Sequence, residues 1–181
     1  MAADDTPLHV FRFEVSFKRD SLDPTAGEPS QPATLCSGAF AECSGLEATM
    51  EPKLIKSGGL NYGAAQRAGP VTFATVVLKR GMTKTSDLWT WWQLVAGGKT
   101  AYRLEAEIAV KNAADETMFT WVLSRVLPVK FKAADLNAKG NEIGIEELHL
   151  AHEGLRLLSS DAGGIGISVS LGVSASVSVG F

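Results

Sequence analysis

The residues whose types could support chemistry are few. Glu146 and Glu147 are adjacent acids, the kind of pair that can share general acid and general base work. Their surroundings alternate apolar residues like a strand, so the two carboxylates are expected on opposite faces, beyond the reach of one reacting centre. His149 and His152 stand three apart, which converges two ligands on a helix but separates them on a strand. No cysteine or third histidine lies nearby, so both are expected on the surface. GGKT at 97–100 has the ending of a phosphate loop, but the pattern requires glycine where Gln93 stands and a strand before the loop. It reads as the end of a helix. GGIGIS at 163–168 is too short for a dinucleotide fingerprint. No GxSxG elbow or Cys–His signature occurs. Cys36 and Cys43, in CSGAFAEC, read as small reduced core residues, although a disulfide between them is sterically allowed. Catalytic, cofactor-binding and metal-ligating residues are therefore expected to be none.

Composition limits the rest. The 181 residues carry 17 basic and 20 acidic side chains, a net charge of −3. No basic cluster exceeds a pair (Lys18-Arg19, Lys79-Arg80), which argues against tight binding along a phosphate backbone. Lys79-Arg80-Gly81 reads as a solvated strand end and turn. With 45% hydrophobic residues the chain is too apolar to be disordered, and its length suits one domain. No apolar run approaches the ~18–20 residues of a membrane helix. The start, MAADDTPLHV, lacks the pattern of a secretory signal, so a soluble single-domain protein is expected.

The elements that must position these residues are mostly strands. Val10 to Phe17 alternates, with Phe11, Phe13, Val15 and Phe17 on one face and Arg12, Glu14 and Ser16 on the other. A long exposed loop is expected over 18–37, where proline, glycine and polar residues dominate. Ser44-Gly45 and Gly58-Gly59 mark turns, and Val71 to Leu78 is rich in β-formers. TSDLWTWWQLVAGG reads as a three-turn helix, capped by Thr85 or Ser86 and stopped at Gly97-Gly98. Leu88, Trp92 and Val95 are expected inward with Trp89 beside them, and Trp91 elsewhere. A hairpin follows. Tyr102, Leu104, Ala106, Ile108 and Val110 share a face, NAADE turns the chain, and Met118 to Val126 returns until Leu127-Pro128 ends the strand. From Glu142 to Leu150 the apolar parity switches at Glu146-Glu147, which predicts a β-bulge there.

From Ile165 to Phe181 every odd residue is apolar and every even one is glycine or serine. Ordering about seventeen backbones alone costs on the order of 17–34 kcal/mol, more than the roughly 10–20 kcal/mol that burying its side chains returns. The segment therefore needs a sheet edge to pair with. As a lone segment it cannot make a transmembrane barrel, which takes eight or more such strands.

The ordered run of motifs resembles the tail-tube protein family of contractile-tailed bacteriophages and contractile injection systems. Phe40, Glu42, Ser44, Gly45 and Leu46 carry the first motif. Leu78 to Gly81 with Leu88, Trp89 and Trp92 carry the second. Pro128, Leu136 to Ala138, Gly140 to Glu142, Glu146 and His152 to Gly154 carry the last. The resemblance implies a mainly β fold, an antiparallel sandwich or barrel over 1–158 with one short helix, followed by an extension over 159–181. It implies a structural subunit of hexameric rings stacked into a hollow inner tube, and no enzyme. The implied partners are other copies of the chain, a sheath protein, spike or baseplate and tube-terminating proteins, and effector cargo or DNA in the lumen. It implies assembly in a bacterial cytoplasm as part of a phage tail or an injection particle that can be released. The long loop and the extension are the features that would suit a tube-initiator ring joining tube to spike. The extension is expected to add a strand to a neighbouring subunit or to lie along the channel wall. Two other classes are kept: a monomeric small-molecule-binding β-barrel lined by the helix tryptophans, and a hydrolase using Glu146, Glu147 or a histidine.

Overall fold

The computed structural model describes residues 12–20, 39–56, 58, 62–99, 102–139 and 141–159. The loop expected beyond Asp20, Cys36 and the extension from 160 lie outside the described residues.

Strand β1 (Phe13–Arg19) buries Phe17 and exposes Glu14 and Ser16, as its alternation dictates. It runs two residues further than expected. Lys18 and Arg19 are strand rather than loop, and the Lys18 ammonium lies 2.5 Å from the Glu107 carboxylate. The short strands β2 (Glu42–Ser44), β3 (Ala48–Met50), β4 (Lys53–Ile55), β5 (Ala65–Arg67) and β6 (Val71–Phe73) precede β7 (Val76–Gly81). Helix α1 (Asp87–Ala96) follows, then β8 (Leu104–Lys111), β9 (Thr117–Lys132), β10 (Ile145–Ala151) and β11 (Gly154–Ser159).

Seven strands form one antiparallel sheet in the order β1-β8-β9-β10-β7-β2, with β11 also on β9. The long strand β9 joins two halves. Residues 117–126 pair with β8 and 119–124 with β11, whereas 127–132 pair with β10. Pro128 does not end this strand, contrary to expectation. It lies opposite Leu150 where the register slips by one residue, and the missing N–H falls on an already irregular stretch of ladder. A second slip lies near Arg125, whose φ is 53°. Irregularities of this kind turn a strand from one half-sheet into the other.

The hairpin of β8 and β9 follows the sequence. Leu104, Ala106, Ile108 and Val110 are buried in strict alternation, and the Asn112 side chain closes the turn by accepting from the N–H groups of Ala114 and Glu116. The helix differs. Leu88, Trp91 and Val95 are its buried residues, Trp92 is half-buried and Trp89 exposed, so the roles expected of Trp89 and Trp91 are exchanged. A turn of 100° per residue lets either Trp91 or Trp92 follow Leu88 inward; Phe17 decides it by meeting Trp91 edge-on at 5.4 Å. Ser86 occupies the N-cap position, but its side chain makes no capping hydrogen bond. The helix stops at Gly97, and Gly98 takes the left-handed φ of 104°.

The bulge expected at Glu146-Glu147 is absent. Strand β10 alternates without interruption, placing Glu146, Leu148 and Leu150 inward and leaving Ile143 and Ile145 exposed. The parity switch arises because a buried glutamate takes a core position. Val76, Leu78, Leu88, Trp91, Leu104, Leu123 and Leu148 form one core under the helix and between the half-sheets.

Candidate assembly surface

Arg80, Asp87 and Glu146 form a charged centre inside the fold. Glu146 lies opposite Arg80 in the β7–β10 register, and Asp87 is the first residue of α1. Arg80 is 2% exposed. Its Nε donates to Glu146 Oε1 at 2.5 Å, Nη1 donates to Asp87 Oδ2 at 3.1 Å, and Nη2 donates to Asp87 Oδ1. Burial draws the guanidinium pKa down, but the hydrogen bonds and charges of Asp87 and Glu146 outweigh it and hold Arg80 above its ordinary value. Arg80 is thus no solvated strand end. A guanidinium that stays charged offers no proton for exchange, so the centre fastens helix to sheet and does no acid–base work.

Glu147 points to the opposite face, 3.5 Å from His149 Nε2, so the adjacent acids never share a site. His149 is half-buried on that face. His152 is buried, contrary to the surface position expected of it: it continues the inward parity of Glu146, Leu148 and Leu150 past the strand end. Its Nδ1 lies 3.0 Å from the Gly154 carbonyl oxygen, and its ring packs on Phe73 at 5.1 Å. Among the described residues no group of three or more ligating side chains could hold a metal ion. Cys43 is a free thiol packed against the core. Burial, with help from the Glu42 carboxylate, pushes its pKa up to about 11, so it is a poor nucleophile.

The tryptophans do not line a common cavity. Trp91 fills the core, whereas Trp89 stacks on Trp92 at 5.1 Å and meets Phe131 edge-on at the surface. Two surface depressions carry mainly polar walls: Lys132, Asp135, Glu142 and Glu147 in one, Arg12, Glu14, Lys111 and Asp115 in the other. Neither is an apolar ligand pocket. Among the described residues no helix is long and apolar enough to cross a membrane.

What remains is surface suited to assembly. β3 pairs with β6 and β4 with β5, making an arm in which all strand residues but Phe73 are exposed. Met50, Leu54, Ile55, Tyr62 and Val71 present apolar surface along it. Two glycines shape the arm. At its root Gly45 has φ 87°, and a Cβ there would fall 2.3 Å from the Thr75 carbonyl oxygen. Between the two strand pairs, two residues face three, and a Cβ on Gly69 would fall 1.9 Å from the Glu51 carbonyl oxygen. The turns at Ser44-Gly45 and Gly58-Gly59 are legible in the sequence, but the arm is not, because its strands ATM and AQR hold few β-formers. Among the described residues, β1, β2 and β11 each pair along one edge, leaving three open edges on the seven-stranded sheet.

The family model for the T4-like virus tail tube protein gp19 matches residues 9–156. No curated protein matches the chain. Among solved structures, a chain of the anti-feeding prophage baseplate, determined by cryo-EM with 6-fold symmetry, is 28% identical, with TM-score 0.71. The match covers 86% of this chain and 98% of that one. A chain of the PVC extracellular contractile injection system sheath–tube complex is 19% identical, covering 86% and 94%, with TM-score 0.65. A chain of the anti-feeding prophage tube-terminating cap is 18% identical, covering 88% and 100%, with TM-score 0.64. The latter two likenesses establish the fold.

Proposed function

The chain belongs to the family of the T4-like virus tail tube protein gp19, and from that premise we propose that it is a structural inner-tube subunit that closes into hexameric rings and stacks them around a lumen. The observation that carries this reading is the combination of an exposed apolar arm with a seven-stranded sheet whose outer strands β1, β2 and β11, among the described residues, each pair along one edge only. Open edges are a liability on a monomer and a means of assembly on a ring subunit. The sheath, baseplate and terminating proteins are the partners this role requires, the lumen carries effector or DNA, and no turnover is involved. Assembly takes place in a bacterial cytoplasm, within a phage tail or an injection particle.

A second reading, the initiator ring that joins tube to baseplate, is favoured by one observation. The relative at 28% identity comes from a baseplate assembly.

Negative-stain electron microscopy across a concentration series tests both. Rings with an open centre that stack as concentration rises support the tube subunit. Single rings that do not extend without a second tube protein support the initiator. Dispersed monomers at every concentration, even with a preformed tube end added as template, would remove both readings.

A further inference from the structure

We propose that the arm of one copy docks into the acidic depression of the next, so that Lys53 and Arg67 meet Asp135 and Glu142 across the junction between successive rings. The inference rests on the tube reading and names the contact that stacking uses. In the β4–β5 ladder Lys53 stands directly opposite Arg67. Like charges facing each other on neighbouring strands repel. The sequence holds no acidic residue between Glu51 and Asp87 to separate them, and neither cation has a carboxylate partner among the described residues. Lys56 adds a third positive charge. The same arm carries Leu54, which is 66% exposed, with Ile55 and Tyr62. A basic, apolar arm gains on both counts against an acidic, apolar surface.

The chain itself carries such a surface. Lys132, Asp135, Glu142, Ile143, Ile145 and Glu147 wall one depression, which sets three carboxylates against one ammonium. Lys132 lies 3.3 Å from Asp135 and 4.0 Å from Glu147, and Glu142 is left with no partner among the described residues. Ile143 is 79% exposed beside it. Placement makes the two surfaces a stacking pair. The arm joins the sheet at the Val76 end of β7. The depression lies at the other end, where Ile145 pairs with Gly81 and the Met82 N–H donates to the Gly144 carbonyl. Six residues of strand, about 17 Å, separate the two ends. A contact between different patches at opposite ends of a subunit repeats head to tail, because each new copy offers a free arm or a free depression to the next.

The test is charge reversal in the full chain, read by electron microscopy and sedimentation across a concentration series. Lys53→Glu with Arg67→Glu reverses the arm, Asp135→Lys with Glu142→Lys reverses the depression, and a third form carries all four substitutions. All four side chains are exposed, so the free energy of unfolding should stay close to that of the unaltered chain and single rings should still form. Each double variant should need at least about tenfold more protein to stack its rings, and the fourfold variant should recover to within about threefold of the unaltered chain. A double variant that stacks like the unaltered chain overturns the proposal. So does a fourfold variant that stacks no better than the double ones. Rings of the unaltered chain that never stack overturn it while leaving ring closure standing. An unaltered chain that forms no ring, even on a preformed tube end, removes the tube reading and this contact together.

Discussion

Arg80 shows how much one side chain can hold. It ties β7, β10 and α1 through two carboxylates, in a site too dry for water to replace a lost partner. Removing one partner of such a buried pair leaves a charge uncompensated, at about 3–5 kcal/mol. Glu146→Ala and Arg80→Ala should each lower the free energy of unfolding, read from urea titration, by an amount in that range, whereas Glu147→Ala on the outer face should change it by about 0.5 kcal/mol or less. Equal effects of Glu146 and Glu147 would contradict the assignment of faces. Cys43 makes a chemical prediction. A thiol of pKa about 11 is ionised at only about one part in a thousand at pH 8, so alkylation in the folded protein should be very slow there and should quicken above pH 10. The sign of the linked stability follows. The proton is held more tightly in the fold than at the ordinary value of 9.0, so the contribution is complete below pH 9 and fades as pH rises through about 11.

Elements add constraints that no single residue shows. The arm's root depends on Gly45, where a left-handed φ coincides with a close approach to the Thr75 carbonyl. Gly45→Ala combines backbone strain with a clash and should destabilise the protein by roughly 1–3 kcal/mol, measured by thermal or urea unfolding. Gly58→Ala, with open space around its Cα, is the matched control and should be near neutral. The arm strands themselves have little to lose on the monomer, because their side chains are already in water. Leu54→Lys with Ile55→Asp should leave the free energy of unfolding within about 0.5 kcal/mol while reducing ring stacking in electron micrographs. Unchanged stacking would remove the arm from the assembly surface. The helix makes the complementary case, since Trp91→Ala empties a core position and should cost about 3–5 kcal/mol, whereas Trp89→Ala, exposed at 43%, should cost far less.

At the scale of the molecule, the fold is one antiparallel sheet bent along β9 around a core that the helix closes. The arm lies outside that core, whereas β1, β2 and β11 also send Phe17, Cys43 and Leu155 onto it, so it is in the arm that folding and assembly draw on different residues. Substitutions in the core should therefore shift stability in the monomer, and substitutions on the arm should shift the concentration at which rings form. Unfolding followed beside sedimentation on the same variants checks this separation.

The sequence by itself determined the mainly β class, the inward faces of β1 and β8, the extent and stop of the helix, and the turn at Asn112. Each depends on local periodicity or on a turn residue, and neighbours in the chain are enough to fix it. The ordered motifs also identified the family from residues such as Phe40, Leu46, Arg80 and His152, without revealing what those residues do. Tertiary structure alone decided the rest. Arg80 looked solvated because its carboxylate partners are distant in the chain or lie across a turn. Glu146 looked like a bulge because an alternation pattern treats every charge as outward, although a paired charge can occupy a core position. Pro128 looked like a strand end because the ladder around it was assumed regular. Trp91 and Trp92 were indistinguishable by helical period, and only Phe17, from a strand more than seventy residues away, settled which of them the core accepts.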